Sequence, residues 1–170
     1  MSYSQPAPLT AEHDLDRFEC GNTSIDAWLR GQALRNEVKG FSRTFVTLDG
    51  AGDVAGFYTL SSFAVERRLA GKDGKGGPPP IPAILLGKLA VHRDHRGRGL
   101  GYSLLQHAVI QAVRAGEIAA ARVMLVHAAD ETAASFYRKF GFRPVNDGAL
   151  SLIAAIDDLR ESIIQAQRNG

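Results

Sequence analysis

The chain has 170 residues, 45% of them hydrophobic and 22% charged, with a formal net charge of +2, as in ordinary folded, water-soluble proteins. We expect one domain over residues 1–170, because that length favours a single core. No apolar run reaches the roughly 20 residues of a membrane span, and the N-terminus has neither region of a secretory signal, so we expect no membrane association. The single cysteine, Cys20, excludes an internal disulfide, and a reducing cytoplasm is the expected compartment.

The first elements are a helix and a hairpin. Residues 22–24 provide capping side chains for a helix over residues 25–38, and Gly40 predicts its end. Arg35, Lys39 and Arg43 are spaced by four, so they would share one face of the helix if it continued that far. Two β-rich runs, Thr44–Leu48 and Val54–Val65, then flank a glycine-containing turn and predict a hairpin.

The remaining elements alternate strands and helices. Residues 71–82 hold four glycines and four prolines and predict a flexible loop. After it we expect a strand at residues 83–91, a helix to about residue 115, a strand at 121–128, a short helix ending at Gly141, a strand at 149–156 and a final helix. This order predicts a mixed α/β domain around one sheet.

A glycine loop joins the strand at residues 83–91 to the next helix. Glycines at such a junction let backbone N–H groups approach an anion, and the helix N-terminus adds partial positive charge. The spacing is neither that of an NTPase P-loop nor that of a dinucleotide-binding loop. It is Arg-x-x-Gly-x-Gly, formed by Arg96, Gly99 and Gly101. Residues 61–100 carry eight lysines and arginines against three acidic residues, which also favours an anionic partner.

This loop, together with Phe-Tyr-x-x-Phe-Gly-Phe at residues 136–142, resembles the GNAT acetyltransferases. The resemblance implies a mixed, mostly antiparallel central sheet with splayed strands, flanked by helices, and acetyl-CoA as the co-substrate. Backbone groups of the strand would follow the pantetheine, and amides of the loop would hold the pyrophosphate. The implied acetyl-CoA-binding residues are Leu89, Ala90, Val91, Arg96, Gly97, Arg98, Gly99, Leu100, Gly101, Tyr102 and Phe136. The side chains of Arg93, Arg96 and Arg98 would add positive charge.

Acetyl transfer needs a neutral amine, donors for the oxyanion and a proton for the departing thiolate. The resemblance implies Tyr137 as the catalytic acid, because family members place a tyrosine hydroxyl by the thioester sulfur. A phenol with a pKa near 10 is protonated at pH 7 and can donate. The general base stays open. The four residues considered for it are His92, His95, His127 and Glu66, and the three histidines are more simply read as structural or peripheral. No metal site is expected.

The N-terminal half resembles the GNAT toxins of type II toxin–antitoxin modules, of the TacT/AtaT type. The matching motifs are Phe18-x-Cys20-Gly21, Asp26-x-Trp28-Leu29, Ser42-Arg43-Thr44 and Gly56-Phe57-Tyr58. The resemblance implies that the chain acetylates the amino group of aminoacyl-tRNA and stops translation. It also implies a ribbon–helix–helix antitoxin as partner, operator DNA bound only through that antitoxin, and a homodimer.

A tRNA-binding enzyme needs basic residues, because phosphates dominate its affinity. The candidates are Arg35, Lys39, Arg43, Arg67 and Lys88, where Lys88 stands at a position at which the toxins often have arginine. Few aromatic residues are interleaved with them, so we expect contacts to the tRNA backbone rather than to base edges. Two alternatives stay open: a GNAT enzyme acting on a small amine or a protein N-terminus, and a non-catalytic module of a repressor complex. The sequence does not identify the amino acid, the tRNA or the antitoxin.

Overall fold

The computed structural model describes residues 2–170, and the chain divides into two compact units. The first unit comprises the residues up to Ser61 together with Gly87–Ala108. The second comprises Ser62–Leu86 and Val109–Gly170. None of the helices in residues 2–170 is long and apolar enough to cross a membrane.

The strands form one mixed sheet. Four of the paired neighbours, β1–β2, β2–β3, β5–β7 and β6–β7, are antiparallel, and β4–β5 is parallel, so the predicted mixed, mostly antiparallel sheet is confirmed. The strand order is β1-β2-β3-β4-β5-β7-β6. The strands are β1 (Ala7–Pro8), β2 (Arg43–Leu48), β3 (Val54–Val65), β4 (Ile81–Val91), β5 (Val123–His127), β6 (Arg143–Pro144) and β7 (Ser151–Ala155).

The helices follow the predicted order with different bounds. Short 3-10 helices at Gly71–Gly74 and Arg93–His95 and a π-helical turn at Leu29–Ala33 were not foreseen. The α-helices are α1 (Thr23–Trp28), α2 (Leu34–Lys39), α3 (Leu100–Ile118), α4 (Glu131–Phe140) and α5 (Ile156–Arg168). The two-residue strands β1 and β6 were also missed, because two residues carry no periodicity.

The first helical segment begins and ends where its capping residues lie. The Asn22 side chain accepts hydrogen bonds from the backbone N–H groups of Ser24 and Ile25, at 3.0 and 3.2 Å. Gly40 ends the segment in the left-handed conformation, with φ of 77°. The predicted end at Gly40 is confirmed, and Arg43 does not share a helix face with Arg35, because α2 ends at Lys39 and Arg43 is the first residue of β2.

Each unit has its own apolar core. In the first, the hairpin and the helical segment pack together around Phe18, Leu29, Val46 and Phe57. In the second, β4, β5 and β7 contribute buried aliphatic side chains, namely Ile81, Ala83, Val123, Leu125 and Ile153. Burying one such side chain contributes about 1.5–3 kcal/mol. Each core fixes the strands that carry the candidate site residues of its own unit.

The glycine- and proline-rich segment contains more local structure than its composition predicts. A 3-10 helix occupies Gly71–Gly74, and β4 begins at Ile81 rather than at Ala83. Arg143 donates to the carbonyl of Ala70 at 2.9 Å and to the Asp73 carboxylate at 3.0 Å. These bonds hold the start of the segment, while its flexibility over residues 71–82 stays a prediction.

Candidate active site

Strand β4 continues beyond its pairing with β5. The parallel pairs run from Ala83↔Val123 to Leu86↔Val126, and β4 extends five residues further, to Val91. In this extension the Lys88 N–H donates to Thr59 Oγ1 at 3.0 Å. The N–H of His92, the residue after β4, donates to the Ala55 carbonyl at 2.8 Å.

Backbone groups alternate along a strand, so the N–H groups of Leu89 and Val91 face the edge of β4 opposite β3. The same alternation turns the polar groups of Ala90 toward β3, and its carbonyl lies 3.2 Å from the position that a Cβ on Gly56 would take. Of the three predicted strand residues, Leu89 and Val91 therefore offer donors on the open edge, whereas the N–H of Ala90 does not.

The loop between β4 and α3 has two glycines in the left-handed conformation directly before the helix N-terminus. Gly97 and Gly99 have φ of 75° and 76°, and Leu100 begins α3. No other atom lies within 4 Å of a Cβ at either glycine, so the backbone conformation, rather than lack of space, requires glycine. Left-handed residues that alternate with others form an anion-binding nest, and the first N–H groups of a helix have no carbonyl partner within it. The predicted residues from Arg96 to Tyr102 lie along this nest and the first turn of α3.

Two arginines of this segment hold it against residues 17–20. The Arg93 N–H donates to the Glu19 carbonyl at 2.9 Å, and its guanidinium pairs with the Glu19 carboxylate at 2.7 Å. The Arg96 guanidinium donates to the Cys20 carbonyl. The side chains of Arg93 and Arg96, predicted to add charge at the anion, are thus engaged in positioning the loop.

The histidines of this loop have structural partners. The Tyr3 hydroxyl and His95 Nδ1 share a hydrogen bond of 2.9 Å, and Nε2 of the buried His95 ring faces Asp49 Oδ2 at 3.4 Å. Partial burial acts to raise the pKa of Asp49, but N–H groups of the β2–β3 turn and the His95 ring lower it below its usual range. His92 accepts from the Asp94 N–H at 3.1 Å and donates to the Arg17 carbonyl. Neither ring is an available general base.

The second unit holds Tyr137 in an apolar environment. Tyr137 lies on α4, is 5% exposed, and contacts the rings of Phe136 and Phe142 at centroid distances of 5.3 and 6.0 Å. Burial raises the pKa of its hydroxyl above the ordinary value near 10. The hydroxyl is therefore protonated throughout the neutral range.

The other two candidate bases also belong to the second unit. His127 ends β5 on the exposed surface, and its Nδ1 shares a hydrogen bond of 2.8 Å with Ser151 Oγ. Glu66 pairs with Arg68 at 2.8 Å. No group of three or more histidine, cysteine or acidic residues in residues 2–170 has the arrangement of a metal site.

Four of the five predicted tRNA-binding residues lie in the first unit and one, Arg67, in the second. Arg43 pairs with Glu37 at 2.7 Å. The Lys88 ammonium lies 4.3 Å from the centroid of the Trp28 ring, and burial lowers its pKa. Arg67 donates to the Gly77 carbonyl at 3.2 Å.

Sequence reasoning missed the residues that hold the loop between β4 and α3. Tyr3, Glu19 and Asp49 reach it from segments 92, 74 and 46 positions away in the chain. No local spacing links residues so far apart, and each taken alone resembles an ordinary surface residue.

Comparisons with known proteins agree over almost the whole chain. Residues 40–144 match the family model of the acetyltransferase (GNAT) domain. The tRNA-acetylating toxin of Mycobacterium tuberculosis (strain ATCC 25618 / H37Rv) is 40% identical over 162 residues, which cover 95% of this chain and 97% of that protein.

Two solved structures show the same fold at low sequence identity. AtaT complexed with acetyl-methionyl-tRNAfMet superposes with a TM-score of 0.86 at 26% identity, covering 95% of this chain and 99% of that one. A mutant AtaT toxin bound to the C-terminus of the antitoxin AtaR and acetyl-CoA superposes with a TM-score of 0.80 at 27% identity. The match covers 95% of this chain and 98% of that one.

Proposed function

This chain belongs to the GNAT family of acetyltransferases, and from that premise we propose that it is a toxin that transfers acetyl from acetyl-CoA to the amino group of aminoacyl-tRNA. The observation that carries the proposal is the 40% identity, over 95% of the chain, to a toxin named for tRNA acetylation. Acetylation removes the nucleophile that forms the peptide bond, so translation stops.

The chain's own backbone provides the binding groups for acetyl-CoA. The N–H groups of Leu89 and Val91 are directed along the open edge of β4, as a pantetheine chain requires. The nest at Gly97 and Gly99 and the first turn of α3 provide N–H donors for a pyrophosphate. In this assignment the loop residues Arg96–Tyr102 bind mainly through their amides, and Phe136 packs against the cofactor.

The reaction needs one proton donor and one oxyanion donor from the protein. The neutral amine attacks the thioester carbonyl, and an N–H of Leu89 or Val91 stabilises the oxyanion. The C–S bond then breaks, and Tyr137 donates its proton to the departing thiolate. The nitrogen loses a proton to solvent, and the Tyr137 phenolate takes one proton back from solvent. The α-amino group of an aminoacyl ester has a pKa below the free value of about 8, so it needs no strong base.

The assembly follows from the same proposal. A ribbon–helix–helix antitoxin would bind the toxin through its C-terminal tail, and operator DNA would be contacted only through the antitoxin. The bound C-terminus of AtaR in the mutant AtaT structure supports binding through the antitoxin's tail. A homodimer, a cytoplasmic location and a single domain over residues 1–170 complete the proposal.

Salt dependence separates a tRNA substrate from a small amine. We expect binding of charged tRNA to weaken steeply with salt and transfer to free amines to be slow. Changing Arg35 and Lys39 to Glu should weaken tRNA binding by at least ten-fold and leave acetyl-CoA binding unchanged. Reversal of Arg168, on the exposed tail helix, is the matched control. Equal loss of tRNA and acetyl-CoA binding would indicate that the variant is misfolded. Rapid turnover of free amines by the wild-type protein, without tRNA binding, would refute the tRNA substrate.

A further inference from the structure

Two apolar side chains stand exposed at the end of α2. Val38 is 80% exposed and Phe41 is 68% exposed. Phe41 is not on a loose segment, because its N–H donates to the Asn36 carbonyl at 2.8 Å, immediately after the left-handed Gly40 that ends the helix. The backbone of Phe41 is thus fixed by the end of the helix, while its ring lies in solvent and is accessible to a binding partner.

Two cations accompany these apolar side chains. Arg35 and Lys39 are exposed on α2, and within residues 2–170 neither forms an ion pair with a carboxylate. The nearby Glu37 is already paired with Arg43. We call Arg35, Val38, Lys39 and Phe41 the α2 patch. It combines an aromatic ring with uncompensated positive charge.

The strand register relates the α2 patch to the open edge of β4. Arg43 and Thr44, which follow Phe41, pair with Leu60 and Thr59 of β3. Thr59 Oγ1 in turn accepts the N–H of Lys88 on β4. The start of β2 therefore lies opposite Lys88 in the sheet. The backbones of β2 and β4 are separated there by two strand spacings, about 10 Å. A short single-stranded extension bound at Lys88 and Leu89 would reach the α2 patch.

We propose that Phe41 is a stacking platform for a base in the single-stranded 3′ end of the aminoacyl-tRNA, with Arg35 and Lys39 on the adjoining phosphates. The inference rests on the proposed function and adds a base contact to it. Aromatic rings set among cations are how proteins bind single strands, and stacking accepts any base because every base has a π-face.

Charge favours tRNA over a second copy of the chain as the occupant. A two-fold contact through the α2 patch would bring the same surface of both copies together. Arg35 and Lys39 of one copy would then face the identical cations of the other, with no carboxylate on the patch left to compensate them. The phosphates of a nucleic acid supply that compensation.

The test uses four variants and the steady-state kinetics of acetyl transfer to charged tRNA. We expect Phe41→Ala to raise KM for charged tRNA about ten-fold, with kcat and KM for acetyl-CoA unchanged. Phe41→Trp should restore the wild-type KM because indole also stacks, whereas Phe41→Leu should behave as Phe41→Ala. Ile118→Ala removes an apolar side chain that is 92% exposed at the end of α3, and should have no effect.

Each other outcome is decisive. A Phe41→Leu variant with wild-type KM would show an apolar contact without stacking and overturn the proposal. A dimer that dissociates in sedimentation only when Phe41 is changed would assign the α2 patch to a second copy of the chain. Wild-type activity on charged tRNA together with an unaffected Phe41→Ala would overturn this inference alone. A wild-type protein that acetylates no charged tRNA would refute the proposed function and, with it, this inference.

Discussion

The loop before α3 in the first unit and helix α4 in the second keep their candidate site residues in place by different means. Residues 92–99 are held by hydrogen bonds and charges from distant segments, including Tyr3, Glu19 and Asp49. Tyr137 is held by aromatic packing, with Phe136 and Phe142 against its ring. The loop exposes its backbone, whereas α4 buries its phenol.

The roles proposed for the loop and for Tyr137 account for this difference in how they are held. Backbone N–H groups bind an anion only when they have no other acceptor and remain accessible. Such a loop is therefore held by side chains from other segments rather than by burial. A proton donor stays protonated when burial disfavours its charged form, so apolar packing suits Tyr137. Damage to α4 should therefore affect the chemical step, and damage to the loop should affect cofactor affinity.

The largest effect is expected at Tyr137. Tyr137→Phe keeps the ring and its packing but removes the proton, so acetyl transfer should fall by roughly 10²–10⁴-fold. Calorimetric titration with acetyl-CoA should give the wild-type affinity, and expression of the variant should not arrest growth. A Tyr137→Phe protein that transfers acetyl at the wild-type rate would remove Tyr137 from the role of acid.

A substitution in the loop before α3 should lower the affinity for acetyl-CoA rather than the rate of the chemical step. Gly99→Ala puts a side chain on a backbone with φ of 76°, at a cost of roughly 1–2 kcal/mol, so the Kd for acetyl-CoA should rise about ten-fold. Gly50→Ala is the matched control, because that glycine also has open surroundings but lies outside the left-handed region. Equal weakening by both substitutions would contradict a specific need for the left-handed loop.

A smaller effect is expected in the pH dependence of stability. The pKa of Asp49 is lowered in the folded protein, so its carboxylate stabilises the fold above the unfolded value of about 3.9. That contribution is lost as the pH falls through the lower, folded pKa. Asp49→Asn should lower the melting temperature at pH 7 and reduce the loss of stability on acidification. Parallel melting curves for both proteins from pH 7 down to pH 3 would contradict this role.

The smallest effect is expected at Arg93. Its ion pair with Glu19 is solvent-exposed on both sides, and such pairs contribute about 0–1 kcal/mol. Arg93→Gln keeps the backbone bond to the Glu19 carbonyl, so the Kd for acetyl-CoA should change less than three-fold in calorimetry. A change above ten-fold would show that the guanidinium charge itself contributes to anion binding.

Local patterns predicted the elements that carry their own signals. The capping residues 22–24 and Gly40 marked the ends of the first helical segment, and the loop spacing from Arg96 to Gly101 predicted the strand–loop–helix junction. The π-helical turn has no comparable signal, and neither do the two-residue strands. The spacing by four did not extend to Arg43 as a helix face, because the helix ends at Gly40, as that glycine predicted.

The candidate site was predictable in its residue types but not in its supports. The spacing of Gly97 and Gly99 follows from the backbone conformation that the loop requires. The bond from Tyr3 to His95 depends on how distant segments pack, which no local pattern encodes. The exposure of Phe41 likewise became visible only in the structure, since the sequence alone does not separate a surface aromatic from a core one.

The most direct test of the account is mass spectrometry of charged tRNA after incubation with acetyl-CoA and the protein. Aminoacyl-adenosine released from the tRNA should carry an added acetyl group with the wild-type protein and none with Tyr137→Phe, and its mass would identify the amino acid. Tight acetyl-CoA binding with no acetylated aminoacyl-adenosine would contradict the tRNA substrate and favour a small amine or a protein N-terminus as the acceptor.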